Sequence, residues 1–168
     1  MRKIFLITLA LVMLSSLNLF DKNFFGAENF ADARRARWQG EVAVSENFAE
    51  EVLYYVNIER EKVGLKPLQL SQQLMESAEV RAKELPENFS HTRPDGSSCF
   101  TAVTIPYRFV GENIAAGQRS SQAVVEAWMN SEGHRKNILN KNFGKLGVGY
   151  LYAPETEYKH YWVQLFKD

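Results

Sequence analysis

Two imidazoles and one carboxylate are the residues of this chain on which chemistry could rest. His91 lies in the loop PENFSHTRPDGSS, Glu112 in GENIAAG and His134 in the turn SEGHR, so only the fold could gather them. Gathered, they could act in three ways. Two imidazoles and a carboxylate are an ordinary donor set for a divalent metal such as zinc. A histidine backed by Glu112 could be a general base, with Ser131 or a water as nucleophile, which would make the centre a peptidase-like hydrolase. Or the cluster could brace the chain, leaving a domain that works by binding. Glu112 would then accept from backbone and histidine donors and fix its segment to the His91 loop. His134 and Arg135 would sit at the carbonyl end of the preceding helix, where positive charge is favoured by about 0.3–1 kcal/mol. No nucleophile elbow, phosphate-cradling glycine loop or thiolate metal motif accompanies the three residues.

Helices and strands must position these segments. From Ser45, a suitable N-cap, Phe48, Val52, Tyr55 and Val56 recur at three- and four-residue steps and predict a helix that Gly64 ends and Pro67 blocks. Ser71 opens a second helix with Leu74, Met75, Ala78, Ala82 and Leu85 on its inner face, stopped by Pro86. Residues 97–110 carry a short helical turn around Phe100–Val103 and then irregular chain. GENIAAG reads as a short buried strand. Ser120 or Ser121 caps the next helix, whose Val124, Val125, Trp128 and Met129 face inward. Gly133 fits the left-handed position past its end, turning His134 and Arg135 off the axis. Asn137 to Leu139 make a further turn. KLGVGYLYA and HYWVQLF follow as strands joined by PETEYK. Trp162, Val163, Leu165 and Phe166 do not alternate with polar residues, as in a strand covered on both faces, so the sheet should lie between helical layers. The glycines of GVG allow close packing there.

The chain has 168 residues, enough for one well-buried core. Its 20 Lys+Arg balance 20 Asp+Glu with no basic stripe, which argues against a nucleic-acid partner. Arg2 and Lys3 precede an apolar run of about eleven residues, the length of a signal-peptide core and too short to span a bilayer. Residues 1–27 are therefore expected to be a signal peptide, cut after Ala27 or Ala33, or kept as an anchor. Residues 28–44 read as a linker or N-terminal arm that Trp38 could pin, and 45–168 as the domain. Cys99 is the single cysteine, so no internal disulfide can form, and its apolar neighbours suggest a small buried hydrophobe.

NFSHTRPDG, GENIAAG, VVEAWMNSEGHRKNIL, GVGY and YWVQLF occur in order. Together with VNIEREKVGLKPL they resemble the CAP superfamily (cysteine-rich secretory proteins, antigen 5, pathogenesis-related proteins), in particular its bacterial branch, over roughly residues 47–166. The resemblance implies an α+β fold, a three-layer α-β-α sandwich of the CAP type with a mainly antiparallel central sheet and a central cleft. In animal and plant members that cleft carries two histidines and two glutamates. His91 matches the first histidine and Glu112 the first glutamate. Ser131 stands at the offset of the second glutamate, with Glu132 one residue on. Tyr161, aligned on Gln164, stands where the second histidine would be, and His160 one step earlier points to the opposite face. His134 looks like the bacterial branch's own addition.

The implied cleft is thus His91, Glu112, His134, Ser131 and Tyr161, supported by Asn113, Gln164, Trp128 and Arg135. No catalytic residue is assigned. No cofactor is required, although His91, His134 and Glu112 could take a divalent metal such as zinc. The expected protein is a secreted or cell-envelope monomer without a membrane span in its mature form. It would bind a small molecule, lipid, peptide or cell-envelope ligand; the alternative is an extracellular peptidase-like hydrolase.

Overall fold

The computed structural model describes residues 44–168, which lie within the compact unit Gln39–Asp168. The expected signal peptide and nearly all of the arm, Trp38 included, fall outside the described residues. Helix α1 (Val44–Lys62) turns Phe48, Ala49, Val52 and Val56 inward and ends at Gly64, whose φ of 73° is open to glycine without strain. Ser45 is the second residue of α1 rather than its cap. Strand β1 (Gln69–Leu70) is too short to leave a periodic signal and was not anticipated. Helix α2 (Gln72–Glu84) is capped by Ser71, whose side chain accepts from the Leu74 N–H. A 3-10 turn (Cys99–Ala102) stands where the helical turn was expected. Strand β2 (Val110–Ala116), helices α3 (Ser121–Asn130, capped by Ser120) and α4 (Glu132–Ile138), and strands β3 (Lys145–Tyr152) and β4 (His160–Lys167) complete the order.

The sheet runs β1-β3-β4-β2, with β1 parallel to β3 and the other pairs antiparallel. Both of its faces are covered. Trp162 and Phe166 of β4 join the core made with α1, α3 and α4, while Tyr161, Val163 and Leu165 join the core under α2. All six residues Tyr161–Phe166 are buried, which is why the strand shows no alternation. The three-layer sandwich is the observed architecture.

Two details place the functional residues. A Cβ on Gly147 would lie 2.3 Å from the Leu74 carbonyl carbon, and one on Gly149 would lie 2.1 Å from the Ala78 oxygen. The backbone of α2 therefore rests directly on β3, as the GVG run led us to expect. At the other side of the sheet β2 is an edge strand. Two of its carbonyls are taken by side chains: Trp128 Nε1 donates to Ile114 O at 3.2 Å and Asn137 Nδ2 to Glu112 O at 3.1 Å. Helices α3 and α4 thereby cover part of an edge that would otherwise template strand addition.

Gly133 corrects one expectation. It lies inside α4 without a positive φ, and the break between α3 and α4 falls at Ser131, in extended conformation (φ −100°, ψ 124°). The residues read as two turns, His134 with Arg135 and Asn137 with Leu139, belong mostly to one short helix, with Leu139 at its end. Among the described residues no helix is long and apolar enough to cross a membrane.

Candidate functional site

Glu112 pairs with Leu165 across the sheet and so projects toward α2. From α2, Arg81 meets it. Arg81 continues the buried row of Leu74, Ser77 and Ala78, and its side chain is 0% exposed against 1% for Glu112. Its Nε donates to Glu112 Oε2 at 2.8 Å and its Nη2 reaches Oε1 at 3.5 Å. The same guanidinium donates to Glu84 Oε2 at 2.5 Å and to the Ser90 carbonyl at 2.6 Å. Glu84 in turn receives Arg93, the shortest of these contacts being 2.6 Å from Nη2 to Oε1.

On the remaining side of Glu112, His91 Nδ1 stands 2.8 Å from Oε1, and the Cys99 sulfur lies within 4.8 Å of the carboxylate. Burial pushes the Glu112 carboxyl up, but the hydrogen bonds from His91 and Arg81, the Arg81 charge and the thiol outweigh it and hold the group below its ordinary range. An ionised carboxylate only accepts, so the proton of this contact sits on His91 Nδ1. The ring nitrogen Nε2 then faces away from Glu112, in a side chain 56% exposed. Burial, followed by the charge of Glu112, pushes the Cys99 thiol up to about 12, so it is protonated at neutral pH. Cys99 is buried, as its apolar neighbours suggested, with its sulfur within 4.8 Å of the donor atoms of Glu112 and His91.

The next residue, Asn113, points through the sheet to the other layer. It is fully buried, donates to Gln164 Oε1 at 3.0 Å and to the His134 carbonyl at 3.1 Å, and accepts from Asn137 Nδ2 at 2.8 Å. His134 is thus tied to β2 through its main chain, while its half-buried ring is lowered in pKa by burial and then by the charge of His91. The donor atoms of His91, Cys99 and Glu112 all lie within 4.8 Å of one another; His134 is not part of that triplet.

Arg135 is exposed and donates from Nη1 to the Met129 carbonyl at 2.8 Å, capping the end of α3. Ser131 forms the α3–α4 junction and its side chain caps nothing. Tyr161 lies buried on the Glu112 side of the sheet, its ring at 6.3 Å and 87° to that of Tyr158. His160 belongs to the opposite side, with Nδ1 2.8 Å from the Tyr150 hydroxyl. Trp128 and Gln164 are core residues that also serve β2, the first through Ile114 O and the second through Asn113.

Sequence reasoning missed Arg81. The signal was present: a charged residue on a stripe otherwise made of Leu74, Ala78, Ala82 and Leu85 must be paired if it is buried. Chemically, the arrangement is a carboxylate saturated by donors, with an oriented imidazole at its rim. For a divalent metal the triplet supplies three donors of suitable type. Such an ion would have to share Glu112 with the Arg81 cation and displace the proton of Cys99.

The sequence matches the CAP family, described as the cysteine-rich secretory protein family, over residues 53–166. It is 44% identical over 124 residues to the protein YkwD of Bacillus subtilis, an alignment covering 71% of this chain and 46% of that protein. It is 36% identical over 105 residues to the membrane protein YlbC of the same organism, covering 60% and 30%. The chain therefore spans less than half the length of these two relatives. Among solved structures, an extracellular protein with an SCP domain from Bacillus anthracis superposes with a TM-score of 0.64 at 30% identity, over 74% of this chain and 41% of the other. An outer surface protein of Borrelia burgdorferi superposes at 0.61 with 25% identity, over 71% and 92%.

Proposed function

The chain belongs to the cysteine-rich secretory protein (CAP) family, and from that premise we propose that it is an extracellular binding module whose cleft at His91 and Glu112 holds a lipid, peptide or cell-envelope ligand. The observation that carries this reading is the state of Glu112. Its two oxygens take hydrogen bonds from Arg81 and His91, and its pKa is lowered, whereas an acid–base carboxylate at neutral pH needs a raised one. Cys99 is held as a thiol, which removes the nearest nucleophile. What remains for a ligand is the outer edge of His91, an acceptor at Nε2 in the neutral ring and a donor once protonated. An extracellular setting is supported by the leader-like start of the sequence and by relatives named as extracellular and outer surface proteins.

Sedimentation of the purified protein with peptidoglycan sacculi and with phosphatidylglycerol vesicles tests the proposal. Retention on one of these materials that His91→Ala abolishes is the expected result. No retention on either, together with peptide or ester turnover that Glu112→Gln removes, would overturn it in favour of the hydrolase. The carboxylate-backed imidazole is the feature that favours that second reading.

A divalent metal is the finer element of the proposal. Zinc should bind weakly, and more weakly still as acid protons compete for its ligands. Calorimetric titration of the parent, Cys99→Ala and His134→Ala identifies the ligands. Weaker binding in the first variant selects the Cys99-containing triplet, and weaker binding in the second selects the pair of histidines. No heat in the parent leaves Glu112 as a hydrogen-bond anchor alone.

A further inference from the structure

We infer that Arg81, Glu84 and Arg93 are positioning residues that hold the His91 loop and so set the direction in which the His91 ring meets its ligand; this rests on the reading of His91 as the ligand-facing group. Between Leu85 and Cys99 the loop has no buried residue. Apolar burial therefore cannot fix it, and polar contacts must. Several of these are internal to the loop, such as Asn88 Nδ2 to Thr92 O and Arg93 N to Ser97 O. Internal bonds give a loop its shape but not its place.

At His91 itself the carbonyl accepts from the N–H of buried Cys99 at 3.0 Å, and the side-chain contacts that fix the loop's place lie on both sides of His91. One residue before it, the Ser90 carbonyl accepts from Arg81 Nη2 at 2.6 Å. Two residues after it, the Arg93 guanidinium grips Glu84 through Nε at 3.0 and 3.2 Å and through Nη2 at 2.6 Å. The one aromatic contact of the loop with the β3–β4 hairpin, Phe89 to Tyr158 at 6.2 Å, is between half-exposed rings.

Glu84 links the two clamps, because Arg81 and Arg93 share its carboxylate. Both arginines and both glutamates are charged, since Arg93 and Arg81 hold Glu84 below the ordinary carboxylate range against the effect of burial. Four alternating charges thus run Arg93, Glu84, Arg81, Glu112, and the last accepts from His91 Nδ1. Glu84 and Arg93 retain 16% and 21% side-chain exposure, so the outer end of the row can be cut with little loss of core. Cutting it touches neither His91 nor Glu112.

The experiment reads the His91 ring directly and needs no ligand. Long-range proton–nitrogen spectra of the full chain, taken at a pH where the ring is neutral, report which nitrogen carries the proton. The parent should show Nδ1 protonated and Nε2 bare. Glu84→Gln and Arg93→Ala should each turn that single tautomer into a mixture with the Nε2–H form, and Arg93→Lys should restore it in part. Lys136→Ala, which cuts the exposed Lys136–Glu132 pair elsewhere, should leave it alone. A purely structural role would shift melting temperature without moving the tautomer. The inference is overturned if His91 keeps a single Nδ1–H form in both Glu84→Gln and Arg93→Ala while their spectra otherwise remain native. It is equally overturned if the parent itself lacks that form. Loss of retention on sacculi or vesicles is a separate readout, so failure of the binding proposal and failure of this one are told apart.

Discussion

Arg60 and Arg81 are buried alike, at 1% and 0% exposure, and are satisfied by different kinds of partner. Arg60 donates to main-chain carbonyls at Lys66, Ile138, Asn140 and Phe143, with no carboxylate among these partners, and burial lowers its pKa. It ties the end of α1 to the chain leaving α4. Arg81 meets two carboxylates and one carbonyl; burial lowers its pKa too, but the bonds to Glu112 and Glu84 outweigh that and raise it. One guanidinium closes main-chain ends, and the other neutralises acids that would otherwise stand buried and uncompensated. Burial of a charge is thus used twice, and only the second use places titratable groups beside a solvent-facing side chain.

The largest expected effect separates the two. Arg81→Met should cost about 3–5 kcal/mol in a denaturant titration, because it leaves Glu112 buried without its cation. Arg60→Met should cost less, about 1–3 kcal/mol, since the groups it orphans are neutral carbonyls and two of the four, at Lys66 and Asn140, are only part-buried and open to water. A larger loss in Arg60→Met would reverse the ranking.

Acid sharpens the comparison further. Glu112 and Glu84 have folded pKa values below their unfolded ones. The stability they confer is present in full above the unfolded carboxylate value of about 4.3, and falls away as pH drops through the folded values. Denaturant midpoints measured from pH 6 down to pH 3 should fall with parallel slopes in the parent and Arg60→Met, and with a shallower slope in Arg81→Met. Parallel slopes in all three would mean that Arg81 does not set these pKa values. The smallest effect belongs to Cys99. Its thiol has no disulfide partner, so reducing agents should leave the melting temperature unchanged, and a fall would reveal a bridge between chains.

Much of the frame was legible in the residues because it rests on local rules. Ser71 caps its helix as read, Ser120 is the one of the two serines offered that caps the next, Gly64 ends the first, and the unbroken apolar run of β4 announced a doubly covered strand. Gly133 misled because a glycine after a helical stripe looks like a stop, whereas the break was made by Ser131 in extended conformation. β1 was invisible, since two residues paired to β3 leave no period. The site was half legible. Motif resemblance singled out His91 and Glu112, yet Arg81 stands 31 residues from Glu112, and its place on an apolar helix stripe says that it must be paired but not with what. Nothing along the chain states that a charge has a distant partner; that follows from the sheet register, which sets Glu112 and Gly147 on either side of Leu165.

The glycines of β3 acquire a wider meaning from that register. Gly147, Leu165 and Glu112 form one row across the sheet, so the height of α2 above Gly147 also sets how far Arg81 must reach to Glu112. A methyl group on Gly149 would stand 2.1 Å from a carbonyl oxygen where ordinary contact begins near 3.4 Å, and the helix would have to rise by roughly an ångström. The clearance of the charged centre is therefore gauged from a spot two strands away that carries no functional group at all. A substitution there would detune the site while every one of its polar residues remained in the sequence, and a comparison of relatives confined to those polar residues would pass over the loss.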